Sequence, residues 1–122
     1  MKIYNINKNN KDISVIESED ILINDVNSGL DFAMEVSNMT GINNIIVNKE
    51  AVDDVLFDLK NKILGELLQK YINYNIKFAV IGDFSKFKSK ALNDFIYEIN
   101  NGRDFFFVED IDTAVEKMTS NL

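Results

Sequence analysis

The chain has 122 residues, 46% of them apolar, and a formal charge of −7, with no cysteine and no histidine. One domain of this size buries roughly two-thirds of its unfolded surface, enough for a core without staples. The missing residue types exclude disulfides, thiolate nucleophiles, zinc–thiolate and iron–sulfur sites, and every Ser-His-Asp or Cys-His arrangement. Nothing in the composition calls for a cofactor or a metal. The acidic balance argues against nucleic acid and anionic membrane as partners, because both carry the same sign of charge. No apolar run approaches the ~20 residues of a membrane helix. The start, MKIYNINKNN, has no signal-peptide core, so a cytoplasmic location is expected. Richness in Asn, Ile and Lys, without Pro or Trp, is the composition expected of an AT-rich bacterial genome.

In chain order, Met1 to Ile16 reads as a hairpin. Ile3, Tyr4 and Ile6 face Ile13, Val15 and Ile16 across a polar turn, Asn7 to Asp12. Ile21-Leu22-Ile23 is an extended bridge or an edge strand. Asn24 or Asp25 caps a helix to about Asn38, with Thr40-Gly41 as its terminator. Asn44 to Asn48 is a strand, and its Ile45-Ile46-Val47 run suggests burial on both faces and parallel pairing. Val52 to Tyr74 is the longest helical pattern, regular from about Phe57-Asp58. Lys77 to Ile81 is the central strand. Ser89 caps a helix that ends at Asn101-Gly102, Phe105 to Val108 is the last strand, and Asp110 or Asp112 caps a final helix. Strands alternating with helices predict an α/β fold. Its sheet is a single mixed layer of about five strands, a hairpin followed by three parallel β-α units, with four helices.

The carboxyl ends of strands are where open α/β sheets bind ligands. Two clusters fall there. Gly82-Asp83-Phe84-Ser85-Lys86 is a loop in which Asp83 suits a cation or hydroxyl and Ser85 with Lys86 an anion. It equally suits a turn with a local cap. Lys49-Glu50 ends the preceding strand. With Asp25 and Asp58 at helix starts, these residues form a candidate oxygen-rich rim, of the kind that holds Mg²⁺ if its members converge. Scattered caps and ion pairs are the simpler account. No glycine-rich phosphate fingerprint is present. Gly65, inside a helix, marks a point of close packing, against a helix or another chain. Arg103, the sole arginine, reads as a helix cap or structural ion pair.

The runs Phe57-Asp58-Leu59, Gly65-Glu66-Leu67-Leu68-Gln69-Lys70, Gly82-Asp83-Phe84-Ser85-Lys86 and Asp94-Phe95-Ile96-Tyr97-Glu98, with Asn101-Gly102-Arg103, resemble Domain of Unknown Function 4180 over nearly the whole chain. That likeness implies a small bacterial protein without an assigned activity. More distantly, the order of elements resembles the STAS domain of anti-sigma-factor antagonists. There a phosphorylatable Ser precedes the long helix, and strands follow one another across the sheet. The matching turn here is Asp58-Leu59-Lys60-Asn61, which keeps the Asp but has no Ser or Thr. The STAS likeness therefore implies a binding surface at Asp58, Lys60, Asn61 and Gly65, without the phospho-switch. Two functions are expected from this reading. One is a non-enzymatic binding or regulatory module for a protein partner or small ligand. The other is a ligand- or nucleotide-binding protein or enzyme that uses the rim. A homodimer is a third arrangement, if helices leave one apolar face of the sheet bare.

Overall fold

Asn9 and Asn10 adopt φ of 54° and 63°, the left-handed pair that a two-residue hairpin turn requires. The computed structural model describes residues 1–120. It opens with β1 (Lys2–Lys8) antiparallel to β2 (Lys11–Glu17). The turn is tighter than the segment Asn7 to Asp12, because Asn7 and Asp12 themselves pair across the ladder and share a 2.7 Å hydrogen bond.

Asp25 caps α1 (Val26–Thr40) by accepting from the Ser28 N–H, and the Ser28 hydroxyl returns to the Asp25 N–H. This reciprocal pair satisfies two of the helix's orphan donors. Gly41 ends the helix in the left-handed region, at φ 71°. After β3 (Asn44–Asn48) come three short 3₁₀ turns, Lys49–Ala51, Asp54–Phe57 and Leu59–Asn61. Then follow α2 (Ile63–Asn73), β4 (Lys77–Ile81), α3 (Lys90–Asn100), β5 (Phe105–Val108) and α4 (Ile111–Thr119).

The helical pattern from Val52 yields a shorter helix than its spacing predicts. Val52 bridges to Ile23. Asp53 and Asp58 each accept from the N–H two residues on, at Val55 and Lys60. Asn61 donates to the Val55 carbonyl and accepts from the Ile63 N–H. Such local side-chain bonds offer the backbone an alternative to the helix ladder. Regular helix begins only after Lys62, at φ 65°, has turned the chain.

The sheet runs β1-β2-β3-β4-β5, parallel from β2 onward. Right-handed crossovers between strands that advance in one direction must all lie on one face. Accordingly α1, α2 and α3 share that face, over a core that includes Ile16, Phe32, Ile45, Leu67, Tyr71, Phe78, Leu92 and Phe107. Among the described residues α4 joins no pair of strands, so it is free of this constraint, and it covers the other face over Ile13, Val15, Ile46, Ala79 and Phe106. The sheet therefore has helical cover on both sides, so the bare face on which the homodimer arrangement was conditional is absent among the described residues.

β5 is an edge strand, and its outer backbone is capped from within. The Asn100 amide accepts from the Phe107 N–H at 2.8 Å and donates to the Phe107 carbonyl at 3.0 Å. A covered edge has no template left at that point for pairing with another chain.

Candidate functional site

The sequence places its first candidates at the carboxyl ends of β3 and β4. Lys49 leaves β3 and runs under Gly82, so close that a Cβ on Gly82 would lie 2.6 Å from the Lys49 Cβ. The Lys49 side chain is largely buried. Its ammonium lies 3.9 Å from Asp54 and 5.4 Å from the centre of the Phe87 ring. Lys86 reaches the same Asp54 at 2.6 Å and the same ring at 5.2 Å. The contact with Asp54 raises the Lys86 pKa. Phe84 and Phe87 fix the loop by packing on Phe57, with ring centres 5.5 and 5.1 Å away. Lys86 belongs to the predicted loop, whereas Asp54 and Phe87 were not singled out by sequence reasoning. Their only sequence signal was the pair of phenylalanines in an otherwise polar loop.

Of the predicted residues, Lys49, Glu50, Asp83 and Ser85 belong to this end of the sheet. Asp83 accepts from the Ser85 N–H at 2.8 Å. Hydrogen bonds from Ser85, aided by the charges of Lys49 and Lys88, hold its carboxyl below the usual range. Glu50 accepts from Asn48. Asp25 is the cap of α1, and its bonds with Ser28 lower its pKa. Asp58 and Asn61 are tied into the turn before α2, while Lys60 and Gly65 are exposed. Asp25, Asp58 and Asp83 thus each serve a local cap or turn, and Glu50 meets the Asn48 side chain. Among the described residues, no three Asp or Glu side chains group closely enough to hold a metal ion. The rim as an Mg²⁺ cradle loses its basis.

Gly65 is also reassigned. A Cβ there would meet nothing within 4 Å. The close approach lies instead at Gly29 of α1, where a Cβ would come within 2.5 Å of Leu67 on α2.

A different concavity lies at the other side of the helical layer. α1 connects β2 to β3 and sits over them, so the inner face of β1 extends beyond it. The result is a groove of about 310 Å³ between α1 and the hairpin. Ile3, Ile16, Phe32 and Val36 line it, with Leu22 at one end. Met1 and Met39, 76% and 62% exposed, stand at its margins. Asp31, Glu35 and Met39 recur every four residues, so they share one flank of α1 and form the groove's lip. The site is an apolar trough with an acidic border.

Fold and surface together define a mixed α/β protein whose concavities are grooves bordered by charge. The model of the family "Domain of unknown function (DUF4180)" matches residues 8–118, and the chain belongs to that family. No match was found among curated proteins or among solved structures. No helix among the described residues is long and apolar enough to cross a membrane.

Proposed function

We propose that this protein is a non-enzymatic binding and regulatory module of the bacterial cytoplasm. It recognises a short segment of another protein that carries apolar residues beside Lys or Arg. The observation that supports this reading is the α1–hairpin groove, apolar on its floor and bordered by Asp31 and Glu35. Exposed apolar surface rimmed by polar residues marks interaction sites. Helix-in-groove recognition reads apolar anchors at three- and four-residue spacing, and an acidic border selects basic neighbours. The chain's charge of −7 draws the same class of partner by long-range attraction.

The sequential strand order also supports the STAS-like reading. On that likeness, the turn at Asp58, Lys60 and Asn61, with Gly65 beyond it, is a second contact surface. The alternative of ligand or nucleotide chemistry at the strand ends is weaker, because Asp25, Asp58 and Asp83 already serve caps and turns.

The test is an NMR titration with two amphipathic peptides that share their leucines, one bearing lysines and the other glutamates. The lysine peptide is expected to shift amides of α1 and β1 in a saturable way. If neither peptide does so, or both do equally, the proposal fails.

A further inference from the structure

At the amino ends of the strands, opposite the predicted rim, the chain gathers a pocket of about 380 Å³ lined by Lys11, Lys77, Arg103 and Lys117. Lys11 opens β2, Lys77 opens β4, Arg103 lies two residues before β5, and Lys117 comes from α4. Four of the chain's 13 basic residues, including its sole arginine, thus converge on one concavity of a protein with net charge −7. Chance scatter on an acidic surface does not favour such a meeting, since like charges repel in a partly enclosed space.

Part of this positive charge has a structural use. Lys77 lies 3.9 Å from Asp104 and donates to the Arg103 carbonyl at 3.5 Å. Lys117 donates to the Asn100 carbonyl at the end of α3, where the helix dipole favours a cation. Arg103 and Lys11 have no such employment: among the described residues, neither side chain makes a hydrogen bond or an ion pair. The reading of Arg103 as a cap or structural ion pair is therefore not what the structure shows.

We propose that this pocket binds the phosphate group of a small phosphorylated molecule. The guanidinium presents a planar fork that matches two phosphate oxygens, and three ammonium groups around it add charge without demanding one geometry. The volume lies at the small end of ligand pockets, suited to a phosphate with a short organic tail. The site is separate from the groove of α1 and stands or falls independently of it.

The experiment is calorimetric and NMR titration of the full chain with pyrophosphate and inorganic phosphate at fixed ionic strength. The proteins compared are the wild type, Arg103→Ala and Lys90→Ala. Lys90 is exposed and pairs only with Asp94, so Lys90→Ala makes the same charge change away from the pocket. Saturable binding is expected, with shifts confined to residues around Lys11, Lys77, Arg103 and Lys117. Arg103→Ala is expected to weaken it about tenfold, the loss of one charge-assisted contact, with its melting temperature unchanged. Lys90→Ala is expected to bind as wild type does. Equal weakening by the two variants, shifts spread over all lysines, or no saturation would overturn the proposal.

Discussion

The Tyr71 hydroxyl of α2 donates to the Gly29 carbonyl of α1 at 2.7 Å, across 42 residues of sequence and inside the core. One turn of helix away, Leu67 fills the notch that Gly29 leaves open. These two contacts set the position of α1 over the sheet, and so set the wall of the groove on its far side. Tyr71→Phe is expected to cost about 0.5–1.5 kcal/mol, the net worth of one hydrogen bond. Gly29→Ala is expected to cost about 1–3 kcal/mol by overpacking against Leu67. Chemical denaturation of both variants checks these values.

The same tyrosine makes stability depend on alkaline pH. Burial pushes its pKa well above the ordinary value. The folded state thus keeps a proton that the unfolded chain releases above about pH 10. The contribution is fully present below that pH and is lost as pH rises beyond it. Denaturation at pH 8 and near pH 10.5 is expected to show a steeper loss for wild type than for Tyr71→Phe. Asp25, Asp83 and Asp110 act in the opposite direction. Their depressed pKa values, caused by Ser28, Ser85 and Thr113, favour the folded state above about pH 4. That contribution fades as pH falls below it.

Gly82 and Lys49 offer a test at the sheet's carboxyl edge. A methyl group on Gly82 meets the Lys49 Cβ, which cannot swing away as the end of a flexible side chain would. Gly82→Ala is expected to destabilise by about 1–3 kcal/mol. Adding Lys49→Ala should not relieve the clash, because alanine keeps the Cβ, whereas Lys49→Gly should relieve the clash but not the backbone strain of a side chain at φ 158°. Thermal melts of the three variants decide this.

The β5 edge depends on one amide. Asn100→Ala removes both partners of the Phe107 backbone and is expected to cost about 1–3 kcal/mol. Asn100→Asp keeps the acceptor for the Phe107 N–H but at neutral pH sets an anionic oxygen against the Phe107 carbonyl, so its loss should ease as the carboxyl protonates at low pH. Hydrogen exchange at Phe107 reads the difference directly.

Much of the fold was legible because its signals are local. Ile45-Ile46-Val47, Phe78-Ala79-Val80 and Phe105 to Val108 are buried on both faces, as parallel strands require. The cap at Ser89 was readable for the same reason, and Asp25 and Asp110 each as one of two neighbouring candidates. The start of α2 was not. Apolar spacing continues through Leu56 and Leu59, while Asp53, Asp58 and Asn61 divert the backbone into turns. Gly65 and Gly29 look alike in sequence, and only the neighbouring helix distinguishes them. The groove and the basic pocket were hidden because each joins segments far apart in the chain. Asp31 and Glu35 read as an ordinary solvated face until β1 is known to lie beyond α1.

The most direct test of the groove is charge reversal at its lip. Asp31 and Glu35 are exposed, so Asp31→Lys with Glu35→Lys should leave the fold intact. Fluorescence anisotropy with the lysine and glutamate peptides would be measured on wild type and on this double variant at low salt. Wild type is expected to prefer the lysine peptide and the variant the glutamate peptide, both preferences weakening as salt is added. An unchanged preference in the variant would contradict this.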